Sequence, residues 1–289
     1  MSRPPYLDPG LDAAVRQVHR RSRETHPSLL SSLPLWPGCA LILILAASIT
    51  AAEAQTTGDP GVSGPIETLL QWMPFILQGF VLNLVMSFLA MMLATVFGLF
   101  LGLMQISVIS WVRRISWFVT QIFRNTPWLV ILFAIIFLSP SQISIAGETY
   151  FISGWIKATV GFSLPVMANI SEIVRGAIRS IPDGQWESSE SLAFSRMQTI
   201  WMIILPQCVK RMIPPWMNWY AILTLSTPIA SILGVQEAVG NAQAAMEAAG
   251  AREELLIPFY GSIMLLFFAY IYPIARLTTR LERRYAVRI

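Results

Sequence analysis

The sequence predicts an all-α, polytopic membrane protein built as a helical bundle. Of its 289 residues, 55% are hydrophobic and only 12% are charged, and the mean hydropathy is +0.59. A soluble domain would carry about one-quarter charged residues. Long apolar runs alternate with short charged connections. We therefore expect five core transmembrane helices, preceded by an N-terminal signal-like or transmembrane segment. The net charge of +4 is small and does not indicate a nucleic-acid partner.

The N-terminal region divides into three parts. Residues 1–35 are polar and arginine-rich, which is typical of a disordered cytosolic tail. The apolar run within 36–54 is shorter than the roughly 20 residues that a span needs, and it ends in Ala52-Glu53-Ala54. This pattern fits either a cleaved signal peptide or an uncleaved first helix. Both interpretations put residues 55–72, with their glycine–proline breaks, in a periplasmic linker.

Residues 73–278 form the predicted transmembrane domain, and 279–289 form a cytoplasmic C-terminal tail. The second apolar run is too short to cross a bilayer alone, so we expect its helix to begin nearer Ile115. Prolines in the fourth run predict a kink or a break. The predicted spans lie at about Phe75–Met104, Trp128–Leu138, Ile156–Ile178, Ile204–Leu233 and Pro258–Ile274.

The distribution of charge predicts the orientation. Arginine and lysine are concentrated after the first span, around the connection at 183–207 and at the C-terminus, whereas the other connections are mainly acidic. By the positive-inside rule the basic connections face the cytoplasm. An odd number of core spans then places the linker outside, in agreement with the N-terminal segment.

The run GQWESSESLAFSRMQTIWMIILPQ at 184–207 lies between two apolar segments. Its apolar residues recur at helical steps, which predicts one amphipathic helix lying against the membrane with a charged face towards a soluble partner. Periodicity alone favours an interfacial helix that merely links two spans. The predicted stripe consists of Trp186, Ala193, Met197, Ile200 and Ile204.

This run resembles the cytoplasmic EAA loop of ABC-importer permeases, G-Q-x-E-A-A-x-x-x-G followed by I-x-L-P. Gly184, Gln185 and Glu187 match the pattern, as does the segment 203–207. Ser188 and Ser189 replace the two alanines, and Ala193 replaces the glycine. These changes are small in volume, so we expect the helix to be preserved.

Three further segments resemble the polar-amino-acid group of these permeases, the histidine, glutamine and lysine-arginine-ornithine type. They are QIFRNTP at 121–127, SEIVRGAIRSIP at 171–182, and the set Arg211, Pro214, Pro215 and Asn218. The resemblance runs from about Gln78 to Ile274. It implies a non-catalytic permease subunit of a bacterial importer in the inner membrane, which carries a polar amino acid or a close derivative.

The resemblance also implies the partners. They are a dimer of cytoplasmic ABC ATPases, a second copy of the chain or a sister permease, and a periplasmic solute-binding protein. The chain has no Walker A loop, so ATP would be hydrolysed on the partner ATPase. We expect neither a cofactor nor a metal ion. The residues that would contact the ATPase are Gly184, Gln185, Glu187, Ser188, Ser189 and Ala193.

Two sets of polar residues are candidates for roles in transport. Glu172 and Arg175 lie one helical turn apart and can neutralise each other, either at a gate or dimer seam or simply at an anchored helix end. Arg124 is expected to reach the lipid interface or to cap a neighbouring helix. The candidates for the substrate pathway are Asn83, Asn169, Asn218, Ser226 and Thr227. Hydroxyl groups in spans also commonly bond their own helix carbonyls.

One departure from the family bears on the substrate. Where the group has Lys-Asp-Thr-Ser, this chain reads Leu225-Ser226-Thr227-Pro228. The loss of two charges implies a less charged ligand, or a contact supplied by the partner permease.

Three alternatives remain at this point. The same fold could import another small solute, such as an opine. An ATP-independent channel or carrier would transport without a co-purifying ATPase. An intramembrane hydrolase or transferase would need a catalytic constellation in the spans, yet both histidines, His19 and His26, lie in the N-terminal tail.

Overall fold

A computed structural model describes residues 64–145 and 148–285. The predicted tail at 1–35, the segment at 36–54 and most of the linker at 55–72 therefore lie outside the described residues, as does the end of the C-terminal tail. The helices are α1 (Pro65–Gln105), α2 (Ser110–Asn125), α3 (Trp128–Leu138), α4 (Gly154–Arg179), α5 (Asp183–Ser191), α6 (Arg196–Gln198), α7 (Leu205–Ser226), α8 (Ala238–Ala248) and α9 (Leu256–Tyr285). A π-helix (Thr199–Ile204) precedes α7, a 3-10 helix (Thr227–Leu233) follows it, and a second one (Glu253–Leu255) precedes α9.

Helix α1 begins well before the predicted Phe75, so the end of the predicted linker is helical. Gly64 is its N-cap and Pro65 occupies the first helical position. Proline is favoured there because it has no N–H to leave unpaired and its φ already suits a helix. Thr68 and Leu69 are buried in this first part of the helix, which explains why it is ordered as part of the bundle.

The core consists of two parts, one along each half of α1. The larger part forms where α1, α3, α4 and α7 pack together, and α4 contributes Phe162, Val166, Ile170 and Val174 to it at four-residue steps. The smaller part joins the first half of α1 to α8 and α9. Helix α4 can approach α1 closely because Gly102 has no side chain, and a Cβ there would lie 2.7 Å from the carbonyl oxygen of Ser171.

Two of the described helices, Pro65–Gln105 and Glu253–Arg284, are long and apolar enough to cross a membrane. The number rises to four if each of two bent pairs is one span. Helix α4 is not among these candidates. It carries Lys157, Asn169 and Glu172, and it is largely buried between other helices. The described part of the chain is thus mostly helical with several candidate spans.

The second predicted span is a broken one. Helices α2 and α3 meet at an angle of 100°, whereas one helix from about Ile115 was expected. The break lies at Thr126-Pro127, where Thr126 has an extended backbone (φ −85°, ψ 135°). A residue before proline is driven out of the helical region by a steric clash with the proline ring.

A short β-hairpin between α3 and α4 makes the all-α prediction incomplete. Strands β1 (Gln142–Ile145) and β2 (Glu148–Phe151) pair antiparallel, with Gln142 opposite Phe151. Beside it, Lys157 is only 6% exposed. Its Nζ donates to the carbonyl oxygens of Ile136 at 3.3 Å and Ser139 at 3.1 Å, so it caps the end of α3.

Candidate functional site

The segment with the EAA-like motif forms a short helix, α5, that begins directly after Pro182. Its serine hydroxyl groups bond within the helix: Ser188 donates to the carbonyl oxygen of Gly184 and Ser189 to that of Gln185, both at 2.6 Å. Ser189 is 2% exposed and faces the protein, whereas Glu187 is exposed. The helix therefore has an anchored side and a free side that carries a carboxylate.

The prediction of one continuous helix over 184–207 is wrong. Helix α5 ends at Ser191, and Ala193 has φ +59°, in the left-handed region. The N–H of Phe194 donates to the carbonyl oxygen of Ser189 at 3.1 Å, and the N–H of Ala193 donates to that of Glu190 at 2.9 Å. These two bonds define a Schellman motif with an alanine at the position that glycine usually takes. The stripe is accordingly split, and Met197 is 65% exposed while Ile204 is fully buried.

Contacts on three sides hold the loop. Arg211 of α7 donates to the carbonyl oxygen of Ser180 at 2.7 Å and to its hydroxyl group at 2.6 Å. Gln207 Nε2 donates to Gln185 Oε1 at 3.3 Å. The Arg211 bonds join α7 to the end of α4, the Gln207 bond joins α7 to α5, and none of these bonds uses Glu187.

A third contact reaches the turn between α1 and α2. The guanidinium of Arg196 lies 5.7 Å from the centre of the Trp186 ring and donates to the carbonyl oxygen of Ile106 at 3.3 Å. Ser195 caps the helix that follows, through a capping box with Gln198. The chain then passes through the π-helix, a conformation that is rare and often marks functional sites.

Glu172 and Arg175 form an ion pair within α4. Arg175 Nε donates to Glu172 Oε1 at 3.2 Å, and Arg175 Nη2 donates to the other carboxylate oxygen. Arg124 of α2 adds a longer contact, 3.7 Å from Glu172 Oε2. The Glu172 side chain is 15% exposed, so one carboxylate joins the end of α2 to α4.

A buried polar cluster lies next to this pair. Gln105 Nε2 donates to the hydroxyl oxygens of Thr120 and Ser171, both at 3.0 Å. Thr120 in turn donates to the carbonyl oxygen of Ser116, and Ser171 to that of Ala168. The cluster connects α1, α2 and α4 where they converge on the loop.

The structure brings together only two of the five predicted pathway residues. Asn83 Nδ2 donates to Thr227 Oγ1 at 2.9 Å, and both residues are fully buried. Asn169 donates to the carbonyl oxygen of Pro165 and Ser226 to that of Ile222, each within its own helical segment. Asn218 is exposed on α7 and lies apart from the Asn83 pair.

The role of Glu237 was not predicted from the sequence. It lies in one of the connections described above as mainly acidic, yet it is fully buried. Its carboxylate accepts from Asn83 Nδ2 at 2.8 Å and from the N–H groups of Val239 and Gly240 at 3.2 Å, so it caps α8. Asn83 Oδ1 completes the arrangement by accepting from the N–H of Ala238 at 3.0 Å. The signal available in the sequence was that this glutamate stands in a short stretch bounded by the small residues Gly234 and Ala238.

This geometry is that of a membrane component whose exposed polar loop is fixed to two long helical segments, without a catalytic constellation among the described residues. Residues 94–287 match the family described as "Binding-protein-dependent transport system inner membrane component". The chain belongs to this family. It is therefore a non-catalytic transport subunit of the inner membrane, and it acts in a complex with an ATPase and a binding protein.

Two relatives of this chain are described as probable permeases of amino-acid ABC transporters. The chain is 34% identical over 213 residues to the probable amino-acid ABC transporter permease protein YckA of Bacillus subtilis. This alignment covers 74% of this chain and 90% of YckA. It is 29% identical over 210 residues to the probable glutamine ABC transporter permease protein GlnP of the same organism. This alignment covers 73% of this chain and 93% of GlnP.

Solved structures show the same fold. A chain from the crystal structure of an amino acid ABC transporter with histidines superposes with a TM-score of 0.62 at 22% identity, covering 75% of this chain and 96% of that one. A chain of the inward-facing MetNI methionine ABC transporter gives a TM-score of 0.59 at 18% identity, covering 75% and 98%.

Proposed function

We propose that this chain carries a polar amino acid, or a close derivative, across the inner membrane, driven by ATP hydrolysis on a separate subunit. The observation that carries this proposal is the α5 loop: an exposed glutamate on a short helix that is bonded to α7, which is bonded in turn to the end of α4. The names of similar permeases support an amino-acid substrate. The absence of the family's two charges at 225–228 favours a ligand with little net charge, such as a neutral polar amino acid.

We propose five core spans, with α2 and α3 forming one of them, and an orientation with α5 and the C-terminal end of α9 in the cytoplasm. The basic residues Arg113, Arg114 and Arg179 support it because they lie at helix ends near the loop, and Arg283 and Arg284 end α9. The β-hairpin and the α8 region would then face the periplasm, where a solute-binding protein docks. The transporter would contain two permeases, either two copies of this chain or this chain with a sister, and two ATPases.

The proposed coupling contact is formed by residues 184–189 together with Ala193. Glu187 would dock in a groove of the ATPase as an electrostatic and mechanical contact. Because α5 is bonded to α7, and α7 is bonded to the end of α4, closure of the ATPases would move α5 and these helices as one body. The left-handed turn at Ala193 would set the angle at which the chain leaves the docked helix.

The ion pair and the buried network have proposed roles on either side of the pathway. Glu172 and Arg175, with Arg124, would hold the cytoplasmic end closed or hold the seam between permeases. Asn83 and Thr227 would act on the pathway by fixing α8 against α1, while Asn169, Asn218 and Ser226 would offer hydrogen-bond partners to the solute.

The test is Glu187→Arg in cells that contain the whole transporter. The reversal places a cation where a carboxylate docks, so uptake of the substrate should fall about tenfold or more. Membrane insertion should not change, because no described bond that holds the loop uses Glu187. Glu282→Arg is the matched control, since it reverses an exposed charge at the C-terminal end of α9, on the same proposed side of the membrane but outside the proposed coupling contact.

Unchanged uptake by the Glu187→Arg variant would refute the docking role. Uptake that continues after the ATPase gene is removed would instead support a channel or an ATP-independent carrier. Competition with unlabelled amino acids and opines in the same assay would identify the substrate class.

A further inference from the structure

A cavity of about 400 Å³ lies beside the loop. It forms where the end of α1, the beginning of α2, the end of α4 and the beginning of α5 meet. The polar residues and the aromatic residue that line it are Gln105, Arg113, Arg179, Asp183, Trp186 and Arg196.

The cavity has an excess of positive charge, with three arginines and one aspartate. In the part of the chain that the structure describes, no carboxylate lies within 4.0 Å of these three guanidinium groups. Arg113 donates to the carbonyl oxygen of Ser107 at 2.9 Å, and Arg196 donates to that of Ile106. Two of the guanidinium groups are thus held around one turn, and they retain donors that suit phosphate oxygens.

The cavity also offers acceptors. Gln105 is 1% exposed, and its Nε2 must face Thr120 and Ser171, because both hydroxyl groups give their own hydrogens to helix carbonyls. Its Oε1 consequently has no hydrogen-bond partner among the described residues. Asp183 supplies a second acceptor at the start of α5. A ligand that fits the cavity therefore combines an anionic group with a hydrogen-bond donor.

The surface next to the cavity is apolar. The turn between α1 and α2 exposes Val108 (64%) and Ile109 (49%), and the first turn of α2 exposes Trp111 (66%) directly before Arg113. Tryptophan beside arginine is typical of the membrane interface, where the ring lies at the level of the head groups. This turn and the cavity beside it would therefore lie at the level of the lipid head groups.

We propose that this cavity binds the head group of a membrane phospholipid in the cytoplasmic leaflet. The arginines bind the phosphate, and Asp183 accepts from a glycerol hydroxyl group or an ammonium group. The inference rests on the proposed orientation of the loop. It adds a lipid contact that joins α1, α2 and α4 to the beginning of the coupling helix.

The test uses the purified transporter, with its ATPase subunits, in detergent, and native mass spectrometry to measure lipid retention. The probes are phosphatidylglycerol, phosphatidylethanolamine and phosphatidylcholine, since choline has no N–H or O–H donor. We expect the unaltered protein to retain phosphatidylglycerol about tenfold more strongly than phosphatidylcholine. The triple variant Arg113→Gln, Arg179→Gln, Arg196→Gln should lose this preference.

The matched control is Arg114→Gln, Lys210→Gln, Arg280→Gln. It removes the same charge from exposed positions that do not line the cavity, and it should retain the preference. Asp183→Asn should strengthen the retention of phosphatidylglycerol and weaken that of phosphatidylethanolamine, since it removes a negative charge that repels the phosphate and attracts the ammonium group.

Equal losses in the two triple variants would overturn the proposal, because binding would then depend on diffuse surface charge. Equal retention of phosphatidylcholine would overturn it as well. Displacement by millimolar inorganic phosphate would identify a soluble phosphate as the ligand and refute the lipid. None of these results affects the proposed transport function, which the Glu187→Arg uptake assay tests separately.

Discussion

Replacing Ala193 by glycine should stabilise the protein. Ala193 has φ +59° and is exposed, so its methyl group adds strain without burying much apolar surface. The left-handed conformation is unfavourable by about 1–2 kcal/mol for an L-residue with a side chain. Glycine does not have this strain, but its loss of conformational entropy on folding is larger by about 0.4–1 kcal/mol. The net gain in the free energy of unfolding is about 1 kcal/mol.

The measurement is thermal unfolding of the purified protein in detergent, followed by tryptophan fluorescence. A gain of about 1 kcal/mol should raise the Tm by about 2–4 °C for a domain of this size. Ala275→Gly is the matched control, because Ala275 is exposed within α9, and glycine there should lower stability by about 1 kcal/mol. If both variants lowered the Tm alike, the left-handed turn would be refuted.

Two further predictions concern buried charge. Glu172→Gln should destabilise the protein by about 1–2 kcal/mol, a value reduced because Arg175 and Arg124 are partly exposed. In a double-mutant cycle, Glu172→Gln with Arg175→Gln should cost less than the sum of the two single changes, and additive costs would contradict the ion pair. Glu237→Ala should cost about 2–4 kcal/mol, because it removes the cap of α8 and leaves Asn83 without its carboxylate partner. Glu247→Ala, exposed on the same helix, should stay within about 0.5 kcal/mol, and equal losses in these two alanine variants would argue against the buried network.

The helices were largely predictable because hydropathy reports directly on apolar runs. Each predicted core span has a helical segment at its place, and the ion pair of Glu172 and Arg175 followed from their spacing. The break at Thr126-Pro127 has a clear local signal, since proline excludes the preceding residue from the helix. The β-hairpin lacks such a signal: its strands have only four residues each, too few for alternation to be distinguished from chance.

Glu237 shows why sites formed between distant elements are harder to predict. Its main partner, Asn83, lies 154 residues away in sequence, so no local pattern connects them. A buried carboxylate is tolerated only where donors surround it, and here three come from α1 and from the first turn of α8. The orientation inferred from charge does not depend on Glu237, because the positive-inside rule counts lysine and arginine.

Ala193 shows a different limit. Alanine is a good helix former, and Ala193 fits the spacing of the apolar stripe. By these rules the chain from Gly184 to Gln207 is one amphipathic helix. The family's glycine at this position was the stronger signal, because glycine is favoured where the backbone must turn left-handed. The backbone of this chain makes the turn although the glycine is absent. The bonds from Ala193 and Phe194 to α5, together with the contacts of Arg211 and Gln207, therefore stabilise the turn enough to offset the strain of one methyl group.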